Sequence, residues 1–401
     1  MKTKEKKVLI TTSTYPRWRS DNTPAFVKQL AQSVNRKGMK VSILAPHYKR
    51  AKRNEVMSGV DVKRYRYAFP ARQQNITYDG GGVYKISKSF SYIVKLVCLV
   101  ASLTFNTFWL SIKNRVDVIN PHWIVPQGFA AVIVKFFTRK RVVLTVHGSD
   151  VFSLTGKTMT KIKRFVLKNS DEVCVNSKAT ESACISIYKR EYTVIPMGVD
   201  FEIFKPVKRS TQLANRYKLS EFTILFVGRL VEVKGVEYLI EALSKLSKDE
   251  IHFKALIVGD GPLKPEIESY VANNDLNSKV EFCGWVDKSK LEEYYSVADV
   301  FVGPSLQEAQ GIVFVEALAT GTPVVASRVG GIIDIVTEGK NGYLVPAKSS
   351  RLLYEKLKLI IDDKDLLKKL SKSSRQEAKK KFSWDVVSEK YIKILSGGNK
   401  L

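Results

Sequence analysis

Two carboxylates eight residues apart, Glu308 and Glu316, frame the segment EAQGIVFVE, with Gly311 between them. The pattern predicts a helix starting near Gly311, with Glu308 in the loop before it and Glu316 about one and a half turns in. A helix N-terminus carries free N–H groups and a partial positive charge, so it can receive a diphosphate. Glu308 then lies beside that anion, within reach of its neighbouring hydroxyls, and Glu316 can accept from a ribose. The plainer reading is a capping Glu and a solvated helix Glu. Two cations, Arg229 and Lys234, occur in GRLVEVKG at residues 228–235. They follow a strand and can neutralise a diphosphate as its charge grows during departure; in isolation a solvated loop is the plainer reading. Gly259, Asp260 and Gly261 form another strand-end turn with room for a flat ligand. His147, in VHGSD, ends a strand and is expected to be exposed, placed to bond a sugar hydroxyl or support a cationic transition state. His122, in NPHW at residues 120–123, reads as a structural histidine.

Elements able to position these residues recur along the chain. Residues 7–13 read as a buried strand, 25–36 as a helix stopped by Lys37 and Gly38, and 41–45 as the next strand, which is the βαβ unit of a parallel sheet. Strands at 116–119, 141–146, 172–176 and 193–195 alternate with helices at 127–137, 161–168 and 179–188. The turn-rich PMGVDF at 196–201 marks a seam. Beyond it, strands at 222–227, 252–258, 280–282, 300–302, 323–326 and 342–345 alternate with helices at 235–246, 263–273, 290–296, 311–319 and 330–336. A Lys-rich helical region covers 351–381, and 383–395 reads as a last helix. Two doubly wound α/β domains are expected, 1–196 and 197–382, with a cleft between them. Ligands of such sheets bind outside the carboxyl ends of the strands.

Hydrophobic residues make up 44% and charged residues 26% of the 401, which excludes a disordered or fibrous chain. The net charge is +27, of which residues 1–200 carry +23 and residues 201–401 only +4. The first half therefore faces something anionic: nucleic acid, a membrane surface or a phosphorylated substrate. No zinc spacing, RNP-like stretch or helix-turn-helix context stands out, which argues against nucleic acid. Cys98, Cys174, Cys184 and Cys283 form no CxxC pair and read as buried free thiols of a reducing compartment. Asp363 and Asp365, the sole D-x-D, sit in the Lys-rich region and read as solvated surface, so no metal site is expected. The apolar run at 8–10 is too short for a signal peptide. Residues 96–112 are apolar but fall short of the roughly 20 residues that span a bilayer, so they read as a buried or interfacial helix. Basic clusters at 2–7, 48–53, 63–66 and 135–141, with Lys85, Lys88 and Lys95 beside that helix and a Gly-rich loop at 78–84 before it, suit an anionic membrane surface.

Taken together, these motifs resemble the family 4 retaining glycosyltransferases, which have the GT-B fold, over nearly the whole chain. The resemblance rests on the Glu308/Glu316 pair, GRL-x3-KG at 228–235, HGSD at 147–150, IPMGVD at 195–200, ATGTPVVAS at 319–327, NGYLV at 341–345 and FSW at 382–384. It implies two Rossmann-like doubly wound parallel-sheet domains facing a central cleft, with the FSW segment starting a helix, within 383–401, that crosses back to the first. It also implies that Arg229 and Lys234 hold the donor's diphosphate, Glu316 the ribose, and Glu308 the donor sugar's hydroxyls. The amides of Gly311, Ile312 and Val313 would approach the sugar and phosphate. Trp285 and Val286, with the turn at 259–261, would meet the base, and His147 would contact the sugar from the opposite domain. Many members carry a Gly-Gly pair in the first loop; here a YPRW-type loop, WRSDNTP at 18–24, stands instead and puts Asn22 and Thr23 beside the donor or acceptor. Ala309 and Gln310 occupy the place where Gly-Phe is common.

The implied activity is metal-independent, retaining transfer of a sugar from a UDP- or GDP-sugar to a lipid-linked or membrane-surface glycan acceptor during surface polysaccharide assembly. The nucleotide sugar is a co-substrate and no cofactor is expected. The expected location is peripheral, at the cytoplasmic face of the membrane. The alternatives are a soluble-acceptor enzyme of the glucan or sucrose-synthase kind, a nucleotide-sugar 2-epimerase, and a catalytically silent binding module.

Overall fold

The computed structural model describes residues 5–18, 21, 23, 25–78, 90–207, 209–219 and 221–398. The chain divides into two compact units, Met1–Met197 with Trp384–Leu401, and Gly198–Ser383. The first contains β1 (Lys7–Thr11), β2 (Lys40–Pro46), β3 (Asn54–Met57), β4 (Val60–Tyr65), β5 (Val118–Pro121), β6 (Arg141–Val146), β7 (Glu172–Val175) and β8 (Thr193–Val194). They form one sheet in the order β3-β4-β2-β1-β5-β6-β7-β8, parallel except for the β3–β4 hairpin. Val8 lies opposite Val41 on one side and Val118 on the other. Val8, Leu9 and Ile10 have no exposed surface, as expected where helices cover both faces of a parallel sheet.

The second unit contains β9 (Phe222–Val227), β10 (Phe253–Val258), β11 (Val280–Gly284), β12 (Val300–Gly303), β13 (Val324–Ser327) and β14 (Gly342–Val345). Their order is β11-β10-β9-β12-β13-β14, all parallel. Each sheet grows outward in one direction and then returns to the other side of its first strand. The reversal falls between β1 and β5 in the first sheet and between β9 and β12 in the second. Diverging crossovers leave a crevice at the carboxyl end of such a pair, where a ligand reaches backbone amides without displacing a helix.

Several elements differ from the sequence expectation. The β3–β4 hairpin and a helix at Thr211–Arg216 were not anticipated. The Lys-rich region is two helices, Ser350–Asp362 and Lys364–Phe382, because Asp363 leaves helical geometry and its carboxylate accepts from the amides of Asp365 and Leu366. Asp363 and Asp365 are exposed, as the sequence reading expected, and Asp363 in addition caps the second of these helices. The helix expected at 330–336 is one turn, Ile332–Ile335.

The apolar helix runs from Phe90 to Lys113, 24 residues, and is long and apolar enough to cross a membrane by length and composition, where residues 96–112 alone fell short. Its Tyr92, Leu99, Leu103 and Leu110 pack with Tyr65, Ile119, Ala130 and Val134 of the first unit's core. Its other face exposes Val97, Phe105, Trp109 and Ile112. Cys98 lies on that helix and is exposed, and Cys283 is partly so, which corrects the expectation of four buried thiols; Cys174 and Cys184 are buried. The final helix, Trp384–Leu395, packs on the helix Phe26–Arg36, with Ser33 Oγ 2.9 Å from Ser388 Oγ and Lys37 Nζ 2.6 Å from Glu389 Oε1.

Candidate active site

Loops following β9, β10, β11, β12 and β13 are laced together by backbone hydrogen bonds at the carboxyl edge of the second sheet. Leu230 N–H donates to Asp260 O at 3.0 Å, Gly259 N–H to Gly284 O at 2.8 Å, Leu306 N–H to Val233 O at 2.9 Å and Gly331 N–H to Glu308 O at 3.0 Å. Such close backbone approach needs glycine. Gly259 has φ +135°, and a Cβ there would strike the carbonyl oxygen of Gly228. Gly330 has φ +52°, and a Cβ there would strike the carbonyl oxygen of Glu308.

This scaffold brings together the sequence candidates of the second unit. Lys234 Nζ and Glu308 Oε2 form an ion pair at 2.5 Å, both side chains partly exposed. Arg229, which follows β9 on the same loop as Lys234, is exposed, and its guanidinium has no hydrogen bond or ion pair among the described residues. Gly311, left-handed, precedes the helix Ile312–Ala319, so Ile312 and Val313 form its first turn beside Glu308. Glu316 lies in that helix and is only 3% exposed, which overturns the solvated reading. Its Oε2 accepts from the Tyr295 hydroxyl at 3.2 Å, and its Oε1 lies 3.1 Å from Lys288 Nζ. Trp285 is exposed immediately after β11, whereas Val286 packs against the core. Asp260 turns its own carboxylate onto the Gly261 amide at 2.7 Å. The set is a half-exposed cradle: amides and two free or exchangeable cations for an anion, and two carboxylates for hydroxyls.

The first unit holds a different kind of site. His147, after β6, is not exposed: it retains 8% of its surface, because the rings of Phe26 and Trp123 lie 5.0 and 4.7 Å from its own. His122, after β5, is fully buried behind it, with Nδ1 2.8 Å from His147 Nε2 and Nε2 3.2 Å from Asn120 Oδ1. Burial pushes His147 down to about 3, and burial together with the neighbouring His147 holds His122 well below its ordinary value. Both rings are neutral at physiological pH. Asp150, the last residue of HGSD, accepts from Ile124 N–H at 2.7 Å; burial outweighs that bond and pulls its carboxyl up to about 6.

In the first loop, Thr23 donates through Oγ1 to Asp21 at 3.0 Å, and Asp21 receives a bidentate pair from Arg17. The Arg17 guanidinium also stacks on Trp18 and Tyr48 at 4.6 and 4.5 Å. Burial alone would raise Asp21, but the bonds from Arg17 and Thr23 bring it down to about 2. Asn22 lies outside the described residues. The sequence reading missed Lys288 and Tyr295 beside Glu316, and Asn120 behind the two histidines. It named His122 only as structural. The available signal was that neighbouring strands β5 and β6 each run into a histidine, His122 bridging Thr145.

Residues 25–203 match the family Glycosyltransferase Family 4 and residues 210–377 the family Glycosyl transferases group 1. An uncharacterised glycosyltransferase of Methanocaldococcus jannaschii is 32% identical over 275 residues, 68% of this chain and 73% of that one. A GDP-mannose-dependent α-(1-6)-phosphatidylinositol monomannoside mannosyltransferase of Mycobacterium tuberculosis is 27% identical over 321 residues, 76% of this chain and 79% of that one. Among solved structures, a sucrose-phosphate synthase from Thermosynechococcus elongatus superposes with a TM-score of 0.78 at 23% identity, covering 98% of this chain and 99% of the other. The fold is thus GT-B.

Proposed function

Because the chain belongs to the family 4 glycosyltransferases, we propose that it moves a sugar, with retention, from a nucleoside-diphosphate sugar to a lipid-linked or membrane-surface acceptor. The observation that carries the donor half is the Lys234–Glu308 pair on the loops of the switch point of the second sheet, with Arg229, which has no partner among the described residues, on the same loop as Lys234. In this reading Glu316 holds the ribose, and Trp285 and the turn at 259–261 flank the base. Arg229, Lys234 and the amides of Gly311–Val313 take the diphosphate. Lys234 swings from Glu308 towards the phosphates, and the freed carboxylate bonds hydroxyls of the donor sugar. In the first unit, His147 is assigned to a sugar hydroxyl and Thr23 to the donor or acceptor side.

The bond from the anomeric carbon to the phosphate oxygen breaks, and the pair leaves with the nucleoside diphosphate towards Arg229, Lys234 and the helix N-terminus. The acceptor oxygen joins the anomeric carbon on the same face and passes its proton to the departing phosphate oxygen. No protein base is assigned. Two cations and a helix terminus supply the positive charge, so the reaction is proposed to need no metal.

The lipid half is supported by the helix Phe90–Lys113. One face is bolted to the first unit's core, so the opposite face, with Val97, Phe105, Trp109 and Ile112, is available to lie in a membrane interface. Near its last turn Lys63, Lys113 and Arg53 crowd together; burial and then these two neighbours lower the Lys63 amine. The mycobacterial relative's name specifies a phosphatidylinositol monomannoside as the substrate of that protein, which supports the same choice here. We place the enzyme at the cytoplasmic membrane surface.

The test is a donor screen in chelator. Purified protein is mixed with UDP-, GDP-, dTDP- and ADP-sugars, and melting temperature and nucleotide release are read with and without a membrane lipid extract. One donor should stabilise the protein and be turned over only with lipid. Release without lipid would favour the soluble-acceptor or epimerase reading, and activity restored only by a divalent ion would refute the metal-free one. Binding to phosphatidylglycerol vesicles should fall as salt rises. Binding indifferent to salt and to lipid charge would remove the electrostatic contact.

A further inference from the structure

The hydrogen bonds behind His147 fix where its protons sit. Asn120 Nδ2 lies 2.5 Å from the backbone carbonyl of Val143 and 3.1 Å from Thr145 Oγ1. A carbonyl can only accept, so this atom is the amide nitrogen, and the 3.2 Å contact to His122 Nε2 is made by the amide oxygen. That oxygen can only accept, so His122 Nε2 carries a hydrogen. His122 is fully buried and neutral, so its Nδ1 is a bare lone pair. The partner 2.8 Å away, His147 Nε2, must then be the donor. His147 is neutral in turn, so its Nδ1 carries no hydrogen. That nitrogen has no hydrogen-bond partner among the described residues, and the ring's place is set by Phe26, Trp123 and His122. The backbone is held as well: Asn176 Nδ2 donates to His147 O at 2.9 Å.

We infer that Asn120 and His122 are positioning residues that lock His147 as an uncharged hydrogen-bond acceptor, its Nδ1 lone pair reserved for a hydroxyl of the bound substrate. The inference rests on the glycosyl-transfer reading only for the identity of that hydroxyl. A locked tautomer excludes two other roles. His147 is no proton donor to a leaving group, and it places no positive charge beside a sugar that is itself becoming cationic. It takes a hydrogen bond from a hydroxyl, which leaves the hydroxyl oxygen more electron-rich and favours positive charge at the ring. Burial suits this role, since an imidazole in water would be free to choose either tautomer or to protonate.

The first test needs no substrate. The chain has four histidines, so each ring is assignable in long-range ¹H–¹⁵N spectra by single substitutions. His122 and His147 should both show the Nε2–H tautomer from neutral pH down through the range where a free histidine protonates. A His147 signal of the Nδ1–H form, or of an imidazolium, overturns the inference and leaves the transferase reading intact. The second test uses two variants at one position. His122→Asn keeps an acceptor close to where Nδ1 stood, whereas His122→Phe keeps the ring and removes it. Nucleotide release is measured with lipid extract and UDP-glucose, UDP-galactose, UDP-N-acetylglucosamine and GDP-mannose as donor probes. His122→Phe should lower kcat by on the order of 10–100-fold, the scale of a misplaced catalytic contact, with little change in donor KM. His122→Asn should recover most of that loss. Equal kcat in both variants overturns the positioning role, because packing alone would not distinguish them. If His122→Phe does not fold, the wild-type tautomers decide.

Discussion

At the edge of the second sheet the polar side chains are charged and paired with one another, Lys234 with Glu308, both partly open to water, and the exposed Lys288 with the buried Glu316. At the carboxyl edge of the first sheet, Asn120, His122 and His147 are neutral, buried and joined in one direction by hydrogen bonds. Partly solvated ion pairs are worth little individually, so they exchange partners at small cost when a charged ligand arrives. A buried neutral chain cannot exchange, because any broken link leaves a donor or acceptor unsatisfied. The first arrangement suits a diphosphate that binds and departs at every turnover. The second suits a contact whose polarity must not vary.

Arg229 gives the sharpest way to break this comparison. Its guanidinium is exposed and unpaired among the described residues, so removing it disturbs nothing in the unliganded protein. Arg229→Ala should leave the melting temperature unchanged and cost about 2–4 kcal/mol in transition-state stabilisation, roughly a 10²–10³-fold fall in nucleotide release. Near-normal turnover would show that the diphosphate sits elsewhere. Gly330 probes the scaffold rather than the charge. Gly330→Ala forces a left-handed alanine onto the Glu308 carbonyl and should destabilise by roughly 2–4 kcal/mol in urea unfolding. A variant of unchanged stability would mean that the loops after β12 and β13 yield easily and that the cradle is not rigid.

The first unit answers to pH instead. Folded, His147 stays neutral down to about 3 against an ordinary 6.5. As pH falls below 6.5 the unfolded chain takes protons that the folded one refuses, so stability is lost from that point downward. Asp150 has the opposite sign: its carboxyl is near 3.8 unfolded and about 6 folded, so its charge is a burden above pH 6 that fades between 6 and 3.8. Asp150→Asn should therefore stabilise by about 1–3 kcal/mol at alkaline pH, and by nothing once the pH is below the ordinary carboxylate value. A gain that persists in acid would mean that packing, not charge, is responsible.

The second site was readable in the sequence because its chemistry travels with residue type at a strand end. Arg229, Lys234, Gly259 and Glu308 all follow a predictable strand in the loop at its end, Glu316 sits on the predictable helix that comes next, and glycines report backbone approach directly. Lys288 was not readable, since nothing local says that a loop lysine reaches a carboxylate 28 residues on. The burial of His147 failed for the same reason: its covering rings come from Phe26 and Trp123, remote in sequence. The missed hairpin pairs NEVM with VDVKRY around a Ser58-Gly59 turn, and only the VDVK stretch alternates apolar and polar residues. Four alternating residues beside a strand without the period are a weak strand signal. The Lys-rich helices merged because an Asp cap is indistinguishable by composition from one more solvated charge.

Lys288 decides how far the exchangeable picture extends. Among the described residues its ammonium pairs with Glu316 Oε1 and lies 6.0 Å from the centre of the Phe204 ring, and the Tyr295 hydroxyl bonds Oε2. Each carboxylate oxygen has two acceptor positions, so both can still receive a ribose hydroxyl. On this geometry Lys288 orients the carboxylate rather than competing for it. Lys288→Met should then weaken UDP or GDP binding by about 1 kcal/mol, the worth of one partly solvated charge-assisted bond. The loss should be smaller for the 2′-deoxy nucleotide if the 2′-hydroxyl is what Oε1 receives. Tighter binding in the variant would have the opposite meaning: Lys288 would be a placeholder that the ribose must displace, and every charged pair of the second unit would then be a lock opened by its ligand. Titration calorimetry with the two nucleotides and their deoxy forms separates these outcomes by sign alone.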